Sequence, residues 1–430
     1  MLSMTRPRLF RALPALLVAS LGYGCGSPTL DRGWEAVVDT VGDTVIVRTL
    51  AGSVWSDTAT LVPELSIGVL EGAEEEMFGE VGAIAASPDG EIYVLDEHVQ
   101  QIRRFGPDGT FLGSIGREGG GPGELRQAEA MALTPDGRLL VRDPGNARIS
   151  VFARDGASLT SWRLPSGGNF HTSSPLFVDT AGNTYTPILL AVDVDVTEWK
   201  MGLARFGPDG THTDTLPAPT WSEFKPLQLV ARREQSTSTT NVPFGPRTAS
   251  TFSPLGYFVG GLSTDYRIDL YRPGARVLRI ERMWTPVRVL DEEKAEQEHR
   301  IIENFKREFG SWHWNGPPIP DTKPPFRDVI VGQDGRIWVQ LSQPGYPYRS
   351  EAEAQEEERI SNRPQLRYRE HAVFDVFEPD GTYLGAVRAP DEFRTSPEPV
   401  LRGDYVWVVT RDDLDVPRVV RYRIAIPQTP

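Results

Sequence analysis

Eight acidic side chains, Asp96, Glu97, Asp143, Asp193, Asp195, Asp265, Asp412 and Asp413, stand just beyond short runs rich in β-branched and aromatic residues. Carboxylates at the same end of successive strands face one side of a sheet array, and hard oxygen ligands converging on a channel mouth there could hold Ca²⁺. On this reading Asp96, Asp143, Asp193 and Asp195 are the metal candidates and Ca²⁺ is the cofactor. The competing role is structural: an Asp at such a place caps a loop or pairs with a neighbour such as Arg148.

Other catalytic chemistry is thinly supplied. The six histidines, His98, His171, His212, His299, His313 and His371, include no pair at metal-ligand spacing. There is no G-x-S-x-G elbow, and the single cysteine, Cys25, closes an N-terminal apolar segment. The run Gly119-Gly120-Gly121-Pro122-Gly123 lacks the Lys-Ser or Lys-Thr of a phosphate loop and reads as a turn-forming connection. Distant parts of a chain can still assemble a site, so a metal-dependent hydrolase or lyase stays open beside a binding protein.

The elements that must position these residues repeat. Pro88-Asp89-Gly90 and Pro107-Asp108-Gly109 start 19 residues apart, as do Pro135-Asp136-Gly137 and Arg154-Asp155-Gly156. The pair returns in weaker form at Thr180 and Pro208, Pro254 and Pro273, and Gln333 and Pro379, and a last copy begins at Arg402. Around the turns apolar residues alternate with period two, giving four short strands in a repeat of about 47 residues. Those proportions predict an all-β, six-bladed β-propeller. Leu65-Ser66-Ile67-Gly68 matches Gly113-Ser114-Ile115-Gly116 and is predicted to close the ring by pairing with Val419 to Ile424, since open edges are sticky. Thr44 to Arg48 is expected in the same outer region.

The turns fall on one face of such a ring. Long insertions at about 191–202, 217–247, 284–326 and 340–370 fall on the other, and loops gathered on one side of a rigid scaffold are where function concentrates. Ile302, Phe305 and Phe309 lie at helical spacing within 291–309, and Ser350 to Ile360 reads as an acidic helix capped by Ser350. Trp199, Trp312, Trp314 and Tyr346 in these insertions are the candidates for binding a protein, small or carbohydrate ligand. The same aromatics would serve equally as packing for the inserted loops.

Charge and termini narrow the partners. The chain has 430 residues and a formal charge of −14, and its first 24 residues contribute three arginines and no acid. The remainder is more acidic still and repels phosphate backbones, which argues against nucleic acid. Residues 1–24 read as an export signal, with Arg6, Arg8 and Arg11 before the apolar run Leu13 to Leu21. That run is too short to span a bilayer. Cys25 stands where a lipoprotein signal places the acylated thiol, which makes the membrane, through a lipid anchor, the expected partner and the bacterial envelope the expected location. With no second cysteine an intramolecular disulfide is excluded. The expected organisation is a signal peptide at 1–24, a linker at 25–42 and the propeller at 43–426.

Ile84-Ala85-Ala86-Ser87-Pro88-Asp89-Gly90-Glu91-Ile92-Tyr93-Val94-Leu95-Asp96, followed by Ile102-Arg103-Arg104-Phe105 and Ile115-Gly116-Arg117-Glu118-Gly119-Gly120-Gly121-Pro122-Gly123-Glu124-Leu125, resembles an NHL repeat. Asp143-Pro144-Gly145-Asn146-Ala147-Arg148-Ile149 continues it, and the likeness covers residues 80 to 165. As a whole the chain is similar to secreted six-bladed propeller lipoproteins of bacteria. That resemblance implies a fold and no fixed reaction. Some NHL relatives are lyases or lactonase-like hydrolases with a metal at the central channel, and others bind proteins or RNA.

Overall fold

The computed structural model describes residues 33–168, 175–191, 199–219, 221, 224–234, 236–412 and 414–427. The alternating runs form short antiparallel strands that group four at a time. The first group is Val81–Ala86, Ile92–Asp96, Gln101–Phe105 and Phe111–Ile115, each paired with its neighbour in sequence. The second is Ala130–Leu133, Leu139–Asp143, Arg148–Phe152 and Ser158–Arg163. The third runs from Phe177–Val178 to His212–Pro217, the fourth from Thr248–Ser253 to Val277–Arg282, and the fifth from Phe326–Val331 to Tyr383–Arg388.

The last three strands are Val400–Arg402, Tyr405–Arg411 and Pro417–Ala425, and among the described residues no fourth follows them. Ala59–Ile67 takes that position, antiparallel to Pro417–Ala425, with Leu65 opposite Arg421 and Ile67 opposite Val419. Thr44–Ala51 goes elsewhere than its expected edge. It lies parallel to Val277–Arg282 on the fourth group, and Glu35–Val41 folds back along it. The alternation decides this placement: Val45 and Val47 enter the apolar seam between the fourth and fifth groups.

Strands such as Ile92–Asp96 and Leu139–Asp143 are buried along their whole length, because each sheet packs face to face on the next. The core is therefore a set of seams. Tyr93, Met131 and Phe152 fill the one between the first and second groups, and Ile84, Trp407 and Val419 the one between the first and last. Between the third and fourth, among the described residues, the cluster is limited to Tyr185, Leu203 and Phe252. At about 1.5–3 kcal/mol for each buried large side chain, that seam is the weakest.

The Asp-Gly turns lie together. A Cβ on Gly90, whose φ is +92°, would sit 2.9 Å from Pro107, so both turns of the first group stack on one another. The second turn of a group also rests on the outer strand of another: Gly156 on Ile115, Gly210 on the Trp162 ring, and Gly109 on Leu65. Polar links run from turn to turn. Arg138 Nη2 donates to Pro208 O at 3.0 Å, Thr180 N to Pro254 O at 2.9 Å, and Gly403 N to Asp334 Oδ2 at 2.9 Å. Arg154 bonds Asp89, Arg272 bonds Pro379 O, and Arg421 Nη1 donates to Pro107 O at 2.8 Å.

The insertions join strand ends away from these turns. One carries helix α1 (Asp291–Phe309), another helix α2 (Glu351–Ser361), and a third the hairpin Gln228–Arg233 with Ser236–Asn241. Ser350 caps α2 by accepting from Glu353 N at 3.3 Å, as its sequence predicts. Neither helix is long and apolar enough to cross a membrane.

Candidate functional site

The sequence-predicted acids are placed first by their strands. Asp96 ends the second strand of the first group and is fully buried, accepting backbone N–H bonds from Gly79 at 3.0 Å, Glu80 at 3.2 Å and His98 at 3.1 Å. Arg103 Nη2 lies 3.2 Å from the same carboxylate. Asp143, equally buried, accepts from Arg126 N at 3.3 Å, Gln127 N at 3.0 Å and Asn146 Nδ2 at 2.7 Å. Each clamps the segment leading into its own group. Oxygens engaged in this way are committed to backbone donors, and the two residues sit in separate clamps rather than in one ligand set. Asp193, Asp195, Asp413, His171 and Cys25 lie outside the described residues. Among the described residues no three of His, Cys, Asp or Glu are gathered as a metal set. Asp265 pairs loosely with Arg267 at 3.8 Å, and Asp412 with Arg418 at 2.9 Å.

What the Asp96 and Asp143 clamps hold in place is the rim of a cavity of about 190 Å³. Glu80, Glu129 and Glu398 reach it from the residues just before the innermost strands of the first, second and last groups, and Glu97 from a neighbouring loop. Glu129 is anchored by the fully buried Arg142, whose Nε donates to Thr186 Oγ1 at 3.0 Å and whose Nη2 donates to Gly168 O at 2.8 Å. Burial draws the Arg142 guanidinium down to about 10, still charged at neutral pH. Glu398 is different. It is ringed by protein though partly open to the cavity, and burial, reinforced by the Asp328 carboxylate, pushes its pKa up to about 8. Burial also raises Asp328, against the pull of the Val329 N–H, Arg247 and Arg327. One neutral carboxylic acid near a second carboxylate is the arrangement that general acid–base work requires.

A second cavity, of about 310 Å³, lies between the inserted segments and the sheets. Its roof is built by the insertions locking into each other. Leu229 and Ala231 of the hairpin pack on Ile301 and Phe305 of α1, with Trp312 and Ile319 completing a separate small core. Trp312 is 9 % exposed and its Nε1 donates to Val230 O at 3.1 Å. Trp314 Nε1 donates to Pro317 O at 2.9 Å. Both tryptophans turn their indole N–H groups to backbone carbonyls within the roof, Trp312 buried in its core and Trp314 partly buried against it. Trp199 is 46 % exposed, beside residues outside the described set.

Beneath that core sits a buried ion cluster. Lys323 is 1 % exposed, and its Nζ donates to Glu293 Oε1 at 2.6 Å, Glu370 Oε1 at 3.0 Å and Gln343 O at 3.0 Å. The other oxygen of Glu293 accepts from Leu290 N at 3.0 Å and so caps α1. Gly345 makes room for it, since a Cβ there would lie 2.2 Å from Glu293 Oε1. Glu296 accepts from Arg367 Nε at 2.5 Å, tying α1 to the segment after α2. Tyr346 stacks on His371 at 4.1 Å, accepts from Arg369 Nε at 2.7 Å, and belongs to the cavity's margin. His371 Nδ1 lies 2.8 Å from Asp391 Oδ1. Burial pushes the Asp391 carboxyl up, but its bonds to His371 and Tyr346 outweigh burial and hold it below the usual range.

Lys323, Glu293, Glu370, Arg327, Asp391 and Glu398 were not singled out in the sequence. Only the abundance of charge inside 284–326 and 340–370 pointed toward Glu293, Lys323 and Glu370, whose partners lie far apart along the chain; Arg327, Asp391 and Glu398 lie outside those stretches.

No family model and no curated protein matches the chain. Among solved structures it is similar to a member of the DUF4221 family from Bacteroides vulgatus, at 11 % identity and a TM-score of 0.51, over 86 % of this chain and 99 % of that one. A looser overlay pairs it with virginiamycin B lyase from Staphylococcus aureus, at 8 % identity and a TM-score of 0.39, over 84 % and 98 % of the two chains. Another pairs it with the calcium-binding protein regucalcin from Agrobacterium tumefaciens, at 11 % identity and a TM-score of 0.37, over 86 % and 97 %. At such identity the likeness concerns fold alone. The chain is an all-β protein of the propeller fold, and the two α-helices among its described residues lie in inserted loops.

Proposed function

We propose that the chain is exported under a signal at 1–24, acylated at Cys25 and held at the envelope by a linker at 25–42. Its body is an NHL-type propeller of six blades whose ring is closed by Ala59–Ile67, and it binds a small or carbohydrate ligand, or a partner protein's side chain, in the capped cavity. Two features support the closed ring. Turn-to-turn links pass from group to group and return through Arg421 to Pro107. Gly109 rests on Leu65 as Gly156 rests on Ile115, which puts Ala59–Ile67 in the role of an outer strand.

The observation that carries the binding role is the roof. Two insertions share a core, a buried ion cluster ties the third to them, and together they border a cavity of about 310 Å³, within the size range of small-ligand sites. A scaffold alone needs no such enclosure. Glycan-array and pull-down measurements on the full chain test this, with Lys323→Met as the roof-disabled control. Binding that disappears in the variant is the expected result; binding that survives unchanged removes the cavity from the account. Labelled palmitate incorporated by the parent and not by Cys25→Ser tests the anchor.

A second reading rests on Glu398. A carboxyl protonated at neutral pH, at the mouth lined by Glu80, Glu97 and Glu129, suits an acid–base hydrolase or lyase. Turnover of lactones or esters that Glu398→Gln abolishes would favour it.

A further inference from the structure

Resting on the capped-cavity reading, we infer that the ligand carries a carboxylate and is the size of one sugar ring, with Arg327 and Arg394 as its donors. The cavity is lined by charges of both signs, and they are unequally satisfied. Glu293 has Lys323 and the Leu290 N–H, and Glu370 has Lys323 and the Gln343 N–H at 2.7 Å. Glu296 has Arg367 Nε and the Arg367 N–H at 3.0 Å, and Asp391 has His371, with Arg369 at 3.4 Å. Every lining carboxylate is therefore answered from within the protein. Of the three lining arginines Arg369 is engaged by Tyr346 and Asp391, while Arg327 and Arg394 keep donors to spare. Arg394 reaches two backbone carbonyls, Asp391 O at 3.0 Å and Phe393 O at 3.2 Å, through one nitrogen, Nη1. Among the described residues no carboxylate closes on it. Arg327 lies 3.5 Å from Glu370, whose charge Lys323 already shares.

A planar guanidinium with unused parallel donors is matched by a carboxylate, which takes two bonds at once. Arg394 is exposed and the Arg327 side chain is 39 % exposed, so water meets their spare donors in the empty cavity, and a carboxylate replaces that water with paired, charge-assisted bonds that a cation or a neutral ligand cannot make. The apolar parts of Tyr368 and Phe393 line the same space and suit the C–H face of a ring. About 310 Å³ stands at the lower end of ligand cavities, which limits the occupant to one ring or an acid of similar bulk.

Calorimetry and thermal-shift titration of the full chain with D-glucuronate, D-galacturonate, acetate and benzoate, against D-glucose, provide the test. At least one carboxylate binds and glucose does not, and Arg327→Gln and Arg394→Gln each weaken binding about tenfold or more while ligand-free unfolding stays unchanged. Glucose binding as tightly as glucuronate, or affinity indifferent to both substitutions, overturns the carboxylate assignment and leaves the cavity as a site for another ligand. Carboxylates without effect at millimolar concentration also overturn it. The cavity reading falls with it only if the glycan and protein screens are blank as well.

Discussion

The turn face and the capped face are held by different physics. On the turn face the links are exposed or half-exposed bonds, such as Arg421 to Pro107 O or Arg138 to Pro208 O, repeated from one group to the next. On the capped face buried charges carry the join: Lys323 links α1, through Glu293, to the segment after α2, through Glu370, and the Glu296–Arg367 pair runs beside it. Exposed links are individually weak and collectively redundant. A buried ion cluster is the reverse, since removing one member strands the others in a low-dielectric site. The turn face thus behaves as scaffold, and the capped face as a device whose shape depends on a handful of side chains.

Lys323→Met is the sharpest way to break this contrast. It leaves Glu293 buried without its cation and Glu370 with only the more distant Arg327, at a cost of about 3–5 kcal/mol. Because the roof has its own core, the loss is local: hydrogen exchange in α1 and in Tyr368–Glu370 accelerates, while the main thermal transition moves little. If the whole chain unfolds with the roof, the two faces are one cooperative unit and the contrast fails. Gly345→Ala acts on the same cluster more gently. Its Cβ would crowd Glu293 Oε1 off Lys323, and overpacking of this kind costs about 1–3 kcal/mol, read as faster exchange at the start of α1.

The same contrast governs what the sequence makes legible. Turn chemistry is local: Asp-Gly pairs at fixed spacing announce hairpins, and the likeness of Leu65–Gly68 to Gly113–Gly116 indicates where Ala59–Ile67 pairs. The ion cluster is not local. Lys323 is separated by 30 residues from Glu293 and by 47 from Glu370, and nothing in either stretch names the other. Residue type also misleads where orientation decides. Asp96 and Asp143 recur at strand ends as metal ligands would, yet they turn under their loops to take backbone N–H groups. Trp312 offers an aromatic face that its helical neighbour Phe305 consumes at 4.7 Å. Glu398 sits in a Ser-Pro-Glu-Pro run with no signature at all, and only its enclosure beside Asp328 marks it.

Between the faces, at the rim, Glu398 supplies a titration. Its ordinary value of 4.5 rises to about 8 on folding. Between those two values the folded chain keeps a proton that the unfolded chain has lost, so stability falls as pH rises across the window and the loss is complete above about pH 8. Glu398→Gln imitates the protonated form. It should flatten the decline and melt higher than the parent at pH 8 to 9, with little difference near pH 4. Parallel curves for the two proteins from pH 4 to 9 would place Glu398 in open solvent and withdraw its role as an acid.

Arg421→Ala carries the smallest expected effect, and for that reason tests the turn face best. Arg421 Nη1 bonds Pro107 O, and its guanidinium lies 5.6 Å over the Tyr405 ring; losing both costs about 0.5–1.5 kcal/mol. Behind it, Ile84, Trp407 and Val419 still fill the seam between the first and last groups. Redundancy therefore predicts a small shift of the urea midpoint with an unchanged slope, and no selective opening of Gln101–Phe105 or Pro417–Ala425 in hydrogen exchange. The first seam to open under mild denaturant remains the thin one, around Tyr185, Leu203 and Phe252, in both proteins. If Arg421→Ala instead makes the first-to-last seam open ahead of it, the polar links are holding the first and last groups together and the apolar seams are not, which would reverse the roles assigned to the turn face and the core.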